Sequence, residues 1–428
     1  MALKYFDIRD CFASMKWLFM NEISKFEKEF AEYIGVKHAI ATSYGRTALY
    51  LGLKAIGVSG KEVILPSFTC TVVRHAVILA GAIPKFVDIK INDFDFALEE
   101  LKEKVTPLTK AIVITHYFGD VAGNLEAILR LGKENGIAVI EDCAHSLGAE
   151  CKGKKIGTYG DFAIFSLTKG LINFGGGVLV TNNDNLFYNA RNLMKKERTR
   201  YRKRFVDFPL VISYGCEQII DKLVFDRVKV SFFKWWAIKV PSVIVLARNY
   251  LILSTKKIGS IVNLLKKNTD KFKPLCQDQD VYSAELQNPY ILEINRITAS
   301  IGISQLRKID RTIEKRKSIY QEIAHKINNI HSNNKVNDTK SVYANIVLRF
   351  EHSDNNNIII QCKEKGLLLR GTWPNHQRLF DEQDTTTVKK IKNEILIFNI
   401  NPMLKEQEIC RFVEIINNTS GSPFMSDS

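Results

Sequence analysis

The chain has 428 residues, 46% apolar and 25% charged, with a formal net charge of +15 at pH 7. That length exceeds one ordinary domain and suits two, and the apolar share supports a sizeable core, which excludes a disordered or low-complexity chain. Eight cysteines, without CxxC pairs or regular spacing, argue against a zinc site or a disulfide framework and for a reducing compartment. The positive balance suits nucleic acid, anionic small molecules or a membrane surface. No zinc-finger, RNP or helix-turn-helix wording accompanies it, so no nucleic-acid partner is expected.

The N-terminal MALKYFDIRDCFASMKWLF carries charges throughout and lacks the apolar segment of a signal peptide, so a cytoplasmic location is expected. Met15 to Tyr33 has the spacing of an amphipathic helix ending near Gly35. Ala39 to Thr42 reads as a strand end. Ser43-Tyr44-Gly45-Arg46-Thr47 then leads into a helix from about Ala48. Such a turn presents backbone N–H groups and the positive end of a helix dipole, which suit a phosphate or a plain helix cap. Lys61 to Leu65 is a strand. Thr106 to His116 reads as a helix end and a strand, with His116 either lining a cavity or bonding the backbone. Asn124 to Asn135 is a crossover helix. The alternation from Val36 to Thr181 predicts a mainly parallel sheet.

The stretch from Ile137 to Thr181 organises the rest. Ile137 to Ile140 reads as a buried strand ending in Glu141 and Asp142, and Phe162 to Phe165 as a second one ending in Ser166. Thr168-Lys169 follows, then Gly175-Gly176-Gly177 and a third apolar run. Ligands of open α/β sheets bind at the carboxyl ends of strands. A carboxylate, a hydroxyl and a lysine therefore reach one edge of one sheet. A lysine amine forms a Schiff base with pyridoxal phosphate (PLP), and a carboxylate beside the pyridine nitrogen keeps that ring an electron sink. The same two residues also make an ordinary solvated pair. Cys143 reads as a small buried residue.

Beyond Arg191-Asn192 the pattern breaks. The segment that follows contains VKVSFFKWWAIKVPSVIVLARNYLILSTKK, interrupted by Lys234, Lys239 and Arg248, and no stretch of it reaches the length of an uncharged membrane span. Phe232, Phe233, Trp235 and Trp236 among lysines read as an interfacial membrane helix or as a helical insertion packed on a dimer or over the active site. From Asn295-Arg296 a single long helix is expected. Val342 to Arg349 and Ile358 to Leu369 suggest a strand and a helix of a small α/β domain. Thr419 to Ser428 reads as a disordered tail.

VIEDCAHSLGA, GTYGDFAIFS, TK and GGGVLVT, in this order, resemble the core of the DegT/DnrJ/StrS family of PLP-dependent sugar aminotransferases. FEKEFAEYIGVKHAIATSYGRTALYLGL, PSFTCTVVRHAVILAGAIPKFVDI and NRITASIGISQLRKIDRTIEKRKSIYQEI extend the resemblance over roughly residues 20–198 and 290–418. It implies the aspartate-aminotransferase fold (fold type I), an α/β architecture. A large PLP-binding domain with a mostly parallel sheet would cover residues 1–198. A mainly helical, basic and aromatic insertion would follow at 199–289, then a linking helix with a small C-terminal α/β domain at 290–418, and a tail at 419–428. It also implies an amino transfer, from glutamate in most relatives, to a keto sugar carried on a nucleotide, in a homodimer with active sites at the subunit interface.

By this resemblance Lys169 is the Schiff-base lysine and Asp142 pairs with the pyridine nitrogen. His145 stands near the ring hydroxyl. Ser166 holds the phosphate, with Gly45, Arg46 and Thr47 as its cup. Cys70 falls where many relatives place a ring that stacks on the cofactor. His116, Arg296 and His376 are substrate candidates, and no metal is expected. Around Lys169 two features depart from the family. Only Leu167 and Thr168 separate Ser166 from Lys169, and the usual GEGG is Phe174-Gly175-Gly176-Gly177. Ile294 replaces a phosphate-reaching Asn, with Asn295 as a displaced candidate. A related dehydratase carries histidine at the lysine position, so Lys169 argues against it. An aminotransferase of cyclitols or aminobenzoate precursors, and a non-catalytic scaffold, remain open.

Overall fold

The computed structural model describes residues 22–171, 175–201, 293–294, 296–327, 331–332, 338–350, 355–367, 369–371, 385–419 and 424–426, all within one compact unit, Met1–Arg202 with Pro289–Ser428. Residues 15–21, Asn295, His376 and nearly all of the expected insertion lie outside the described residues.

Helix α1 (Glu22–Ile34) buries Ile23, Phe26, Phe30 and Ile34, one apolar stripe at helical spacing. Gly35, with φ +88°, ends it as expected. Strand β1 (His38–Thr42) leads through Ser43 and Tyr44 into α2 (Gly45–Ala55). This helix starts three residues before the position expected from the sequence. Tyr44 is extended, and its carbonyl already accepts from the N–H groups of Thr47 and Ala48. The chain continues through β2 (Glu62–Pro66), α3 (Thr71–Leu79), β3 (Ile83–Val87), α4 (Leu98–Lys104), β4 (Thr109–Thr115), α5 (Leu125–Asn135) and β5 (Ala138–Asp142). The short strands β6 (Glu150–Cys151) and β7 (Lys154–Lys155) precede β8 (Phe162–Ser166), the one-turn α6 (Leu167–Gly170), β9 (Gly177–Thr181) and α7 (Asp184–Tyr201).

The central sheet runs β1-β9-β8-β5-β4-β2-β3. Strand β9 pairs antiparallel with both neighbours, and the remaining pairs are parallel. The carboxyl ends of β1, β2, β4, β5 and β8 therefore meet along one edge, together with the amino end of β9. Alternation along each strand feeds two apolar layers. Ile112, Ile114, Val139 and Phe165 join Phe26 and Phe30 on one face, while Val113, Ile140 and Ile164 join Leu49 and Leu53 on the other. The mostly parallel α/β sheet expected from the sequence is thus the observed one.

The single long helix is instead two, α8 (Arg296–Leu306) and α9 (Ile309–Lys326). The break has a physical cause. Gly302 lets α8 lie against the Phe26 ring of α1, where a Cβ would come within 2.7 Å. Arg307, at the break, donates from Nε and Nη2 to both carboxylate oxygens of Glu29, at 3.0 and 2.6 Å. Helix α9 then turns away to bury Ile319, Tyr320 and Ile323 in the C-terminal core.

That core is organised by β10 (His331–Ser332), β12 (Asn345–Arg349), α10 (Asn355–Glu364), β13 (Leu369–Arg370), α11 (Thr386–Glu394), β14 (Ile395–Asn399), α12 (Glu406–Asn417) and β15 (Phe424–Ser426). The intervening β11 (Thr339–Lys340) pairs with β6. The second sheet runs β10-β15-β12-β14-β13. The expected disordered tail is corrected here: residues 424–426 pair antiparallel with β12, whose backbone groups they satisfy.

Candidate active site

Six loops leave the sheet at this edge, those after β1, β2, β3, β4, β5 and β8. Thr69, Cys70, Thr115, His116, Asp142, Ala144, His145 and Lys169 line one cleft there. Cys70 caps α3, and His116 follows β4. Asp142 ends β5, and Lys169 sits exposed on α6. Cys70, His116, Asp142, His145 and Lys169 come from four separate strand ends, and the fold brings them together.

Asp142 is 5% exposed, and its Oδ1 accepts from the Ala144 N–H at 3.0 Å. Burial pushes its carboxyl above the usual range, while the Lys169 ammonium pulls the other way. A cation placed beside Asp142 therefore stabilises the carboxylate. His145 is buried and lies parallel to the Phe118 ring, with centroids 6.0 Å apart. The Phe118 N–H points at its Nδ1 (3.4 Å), which leaves the Nε2 edge as the donor of the neutral ring.

His116 is completely buried. The Ala122 N–H donates to its Nδ1 (3.1 Å), so Nε2–H faces Glu141 Oε2 at 3.2 Å. Both alternatives for this residue hold at once: it lines the cleft and bonds the backbone. Glu141 was not singled out by sequence, yet it is the hub of this wall. It is fully buried and also accepts from the N–H groups of Gly157 (2.9 Å), Tyr159 (2.8 Å) and Gly160 (2.8 Å). Burial pushes its carboxyl up, but the bonds from His116, Gly160 and Gly157 outweigh that and hold it below the usual range. The signal for it was its place next to Asp142, because strand alternation turns adjacent side chains to opposite faces. His116, Glu141 and Cys143 lie within metal-ligand spacing, but the histidine nitrogens and the carboxylate already have protein hydrogen-bond partners, Nδ1 accepting from Ala122 and Nε2–H donating to Glu141. Burial drives the Cys143 thiol far up, which makes it inert, in keeping with its reading as a core residue.

The turn expected to hold a phosphate lies against the end of β8. A Cβ on Gly45 would lie 3.3 Å from the Phe165 carbonyl oxygen and 3.7 Å from Ser166 Cβ, so the start of α2 abuts the end of β8. A Cβ on Gly177 would come within 2.3 Å of Gly45 N, so only glycine lets the two loops cross. Ser166 Oγ lies 3.2 Å from Thr168 Oγ1, and Ser43 Oγ 3.4 Å from Thr47 Oγ1. The α2 N-terminus carries no side-chain cap, and the Arg46 guanidinium stacks over the Tyr44 ring at 4.7 Å. Arg296 is exposed at the start of α8, three residues after Glu293 bridges to Thr42. Phe68 packs in the core, stacked on Phe94, while Cys70 remains half-buried at the cleft.

Comparisons with known proteins bear on the family and the fold. The chain is 40% identical over 192 residues to GDP-perosamine synthase of Caulobacter vibrioides, covering 44% of this chain and 51% of that protein. It is 36% identical over 177 residues to UDP-N-acetyl-3-dehydro-alpha-D-glucosamine 3-aminotransferase of Acidithiobacillus ferrooxidans, covering 40% of this chain and 48% of that one. The chain thus spans about half the length of the curated relatives it matches. Among solved structures, 3-amino-5-hydroxybenzoic acid synthase superposes with a TM-score of 0.68 at 19% identity, covering 98% of this chain and 97% of that one. The aminotransferase TlmJ of Streptoalloteichus hindustanus gives 0.67 at 19% identity, covering 96% and 95%. These likenesses show the fold. The model of the DegT/DnrJ/EryC1/StrS aminotransferase family matches residues 4–210 and 273–417. With most of its length matched and its fold shared, the chain belongs to the DegT/DnrJ/EryC1/StrS aminotransferase family.

Proposed function

We propose that this chain is a PLP-dependent aminotransferase that transfers an amino group, with glutamate as donor, to a keto sugar carried on a nucleotide. The observation that carries the reading is the meeting of Lys169 with buried Asp142 in one cleft of a family-matched frame. The donor set fits the cofactor. It offers an amine, a buried carboxylate that a cationic ring nitrogen would ionise, an imidazole edge, and a helix N-terminus beside a serine. Bound there, PLP supplies an electron sink for charge developing at the carbon that bears the amine. Lys169 Nζ would hold the cofactor, and its free amine would accept and return a proton at the substrate carbon. Asp142 would pair with the ring nitrogen and His145 would stand near the ring hydroxyl, while Ser166 with Gly45, Arg46 and Thr47 would hold the phosphate. Names of relatives such as GDP-perosamine synthase support a nucleotide-sugar acceptor.

The reading includes a cytoplasmic homodimer. No helix among the described residues is long and apolar enough to cross a membrane. It also includes peripheral membrane contact through residues 205–256, where Trp235 and Trp236 stand among lysines. Equal co-sedimentation with anionic vesicles, with and without that segment, would remove the membrane part.

The test is the visible spectrum of protein purified with PLP, before and after borohydride, beside Lys169→Ala. A yellow band that borohydride bleaches and the variant lacks is expected. A colourless protein that takes up no PLP overturns the reading and leaves a family fold turned to binding.

A further inference from the structure

Behind the lysine turn lies a charge that the proposed chemistry leaves unused. Arg316, on α9, is only 6% exposed. Among the described residues no carboxylate pairs with it, and its Nε has no hydrogen-bond partner. Burial alone draws its guanidinium down to about 10. Its hydrogen bond runs from Nη2 to the backbone carbonyl of Lys169, at 3.5 Å. An unpaired buried cation weakens a fold, and an apolar residue of similar volume often serves stability better. Stability is therefore a poor reason for an arginine here.

The lysine turn needs outside support. Helix α6 has four residues, too few to propagate by its own hydrogen bonds. The Leu167 N–H donates to the Gly176 carbonyl at 3.0 Å. Gly170 packs so closely that a Cβ there would lie 2.8 Å from Leu147 Cβ. These contacts hold the two ends of the turn, and the Arg316 bond acts on the Lys169 backbone itself.

We propose that Arg316 is a positioning residue whose guanidinium grips the Lys169 carbonyl and keeps the lysine turn set for the cofactor. The proposal rests on Lys169 being the cofactor lysine. It is tested in the full chain with Arg316→Met, which keeps volume without a donor, and Arg316→Lys, which restores a cationic donor. Three quantities are measured: hydrogen exchange of the 167–171 amides without cofactor, the melting temperature, and the rate at which borohydride-fixable PLP absorbance forms. Arg316→Met should melt no lower than the wild type. Its turn should exchange about tenfold faster and capture PLP about tenfold more slowly, the effect of one charge-assisted hydrogen bond. Arg316→Lys should recover most of both. Unchanged exchange and capture in Arg316→Met would overturn the proposal. So would equal losses in the two variants, or loosening of the turn that only follows a general loosening of the protein. A wild type that captures no PLP sinks the proposed function instead, and the exchange comparison still judges the grip.

Discussion

Asp95, 7% exposed, accepts from the Gly123 N–H at 3.0 Å. Burial and the nearby Asp93 charge push its carboxyl up to about 7, against the pull of Lys90, while the buried Tyr117 faces it from the next loop. The unfolded value is 3.8, so this group's share of stability is whole below that pH and is lost as pH rises towards 7. Asp95→Asn should gain on the wild type across this range, by at most about 4 kcal/mol at about 1.4 kcal/mol per pH unit. Urea unfolding at acid and neutral pH measures it, and a difference that stays flat with pH would show Asp95 ionising normally. Asp142 gives a second prediction. Asp142→Asn keeps the shape and an acceptor for the Ala144 N–H but carries no charge. It should retain PLP and slow the half-reaction with glutamate by about 10²–10³, the scale of losing one preorganised electrostatic partner. A single-turnover rate close to wild type would remove Asp142 from the chemistry. That Lys169 and Asp142 reach one cleft was legible in sequence because each closes or follows an apolar run, while Cys70 was picked out through the family resemblance. Asp95 and Arg316 were not legible, because nothing in a charged loop or an amphipathic helix reports that a side chain is buried without an ion pair among the described residues.

The end of β5 and the loop 157–160 act as one element through Glu141. Its carboxylate collects three backbone N–H groups and the His116 ring, so the wall of the cleft hangs from one side chain. Glu141→Gln turns one acceptor into an NH2 that confronts N–H donors. The expected loss is about 3 kcal/mol, as for breaking a buried charged network. Its folded value lies below the usual 4.5, so wild-type Glu141 contributes above that pH and loses its contribution as pH falls through the folded value. The gap between variant and wild type should therefore narrow in acid, and denaturant midpoints at neutral and acid pH check it. The run GTYGDFAIFS announced a strand, and a strand is there. It did not announce that its glycine-containing lead-in wraps a carboxylate 16 to 19 residues earlier, because backbone donors leave no letter in a sequence. The break between α8 and α9 was hidden for a similar reason. Each half keeps a helical period, and only the partner surfaces, Glu29 with Phe26 and then the C-terminal core, require two directions.

At the scale of the whole described molecule, the C-terminal sheet is joined to the large sheet by a shared core, by bonds from the Val342 and Asn345 N–H groups to the Gly119 and Phe118 carbonyls (3.0 and 3.1 Å), and by a carboxylate. Phe68, Phe94, Tyr117 and Phe118 pack with Val347, Val388, Ile391 and Ile397. Above them Asp88 Oδ1 accepts from Thr385 Oγ1 (2.6 Å) and from Ser67 Oγ (3.3 Å), and its Oδ2 from the Thr387 N–H (3.3 Å). Thr385 is also the N-cap of α11, so Asp88 fixes the start of that helix against the end of β3. The alternation of strands and helices made the parallel sheet legible, but a link between residues 297 positions apart carries no local pattern. Partial burial pushes the Asp88 carboxyl up, and the bonds from Thr385, Ile89 and Thr387 outweigh it and hold it below the usual range. Its contribution is therefore present above about pH 4 and lost as pH falls through the folded value. Asp88→Ala should cost about 2 kcal/mol, the scale of hydrogen bonds to a charged group left unmade. The loss should concentrate in the C-terminal part. That part would melt first, giving two calorimetric transitions where the wild type gives one, while PLP absorbance persists to the second. A single transition, shifted as a whole, would mean that the shared aromatic core and the bonds from Val342 and Asn345 to the Phe118-Gly119 loop couple the two sheets without Asp88, which then serves only its own loop.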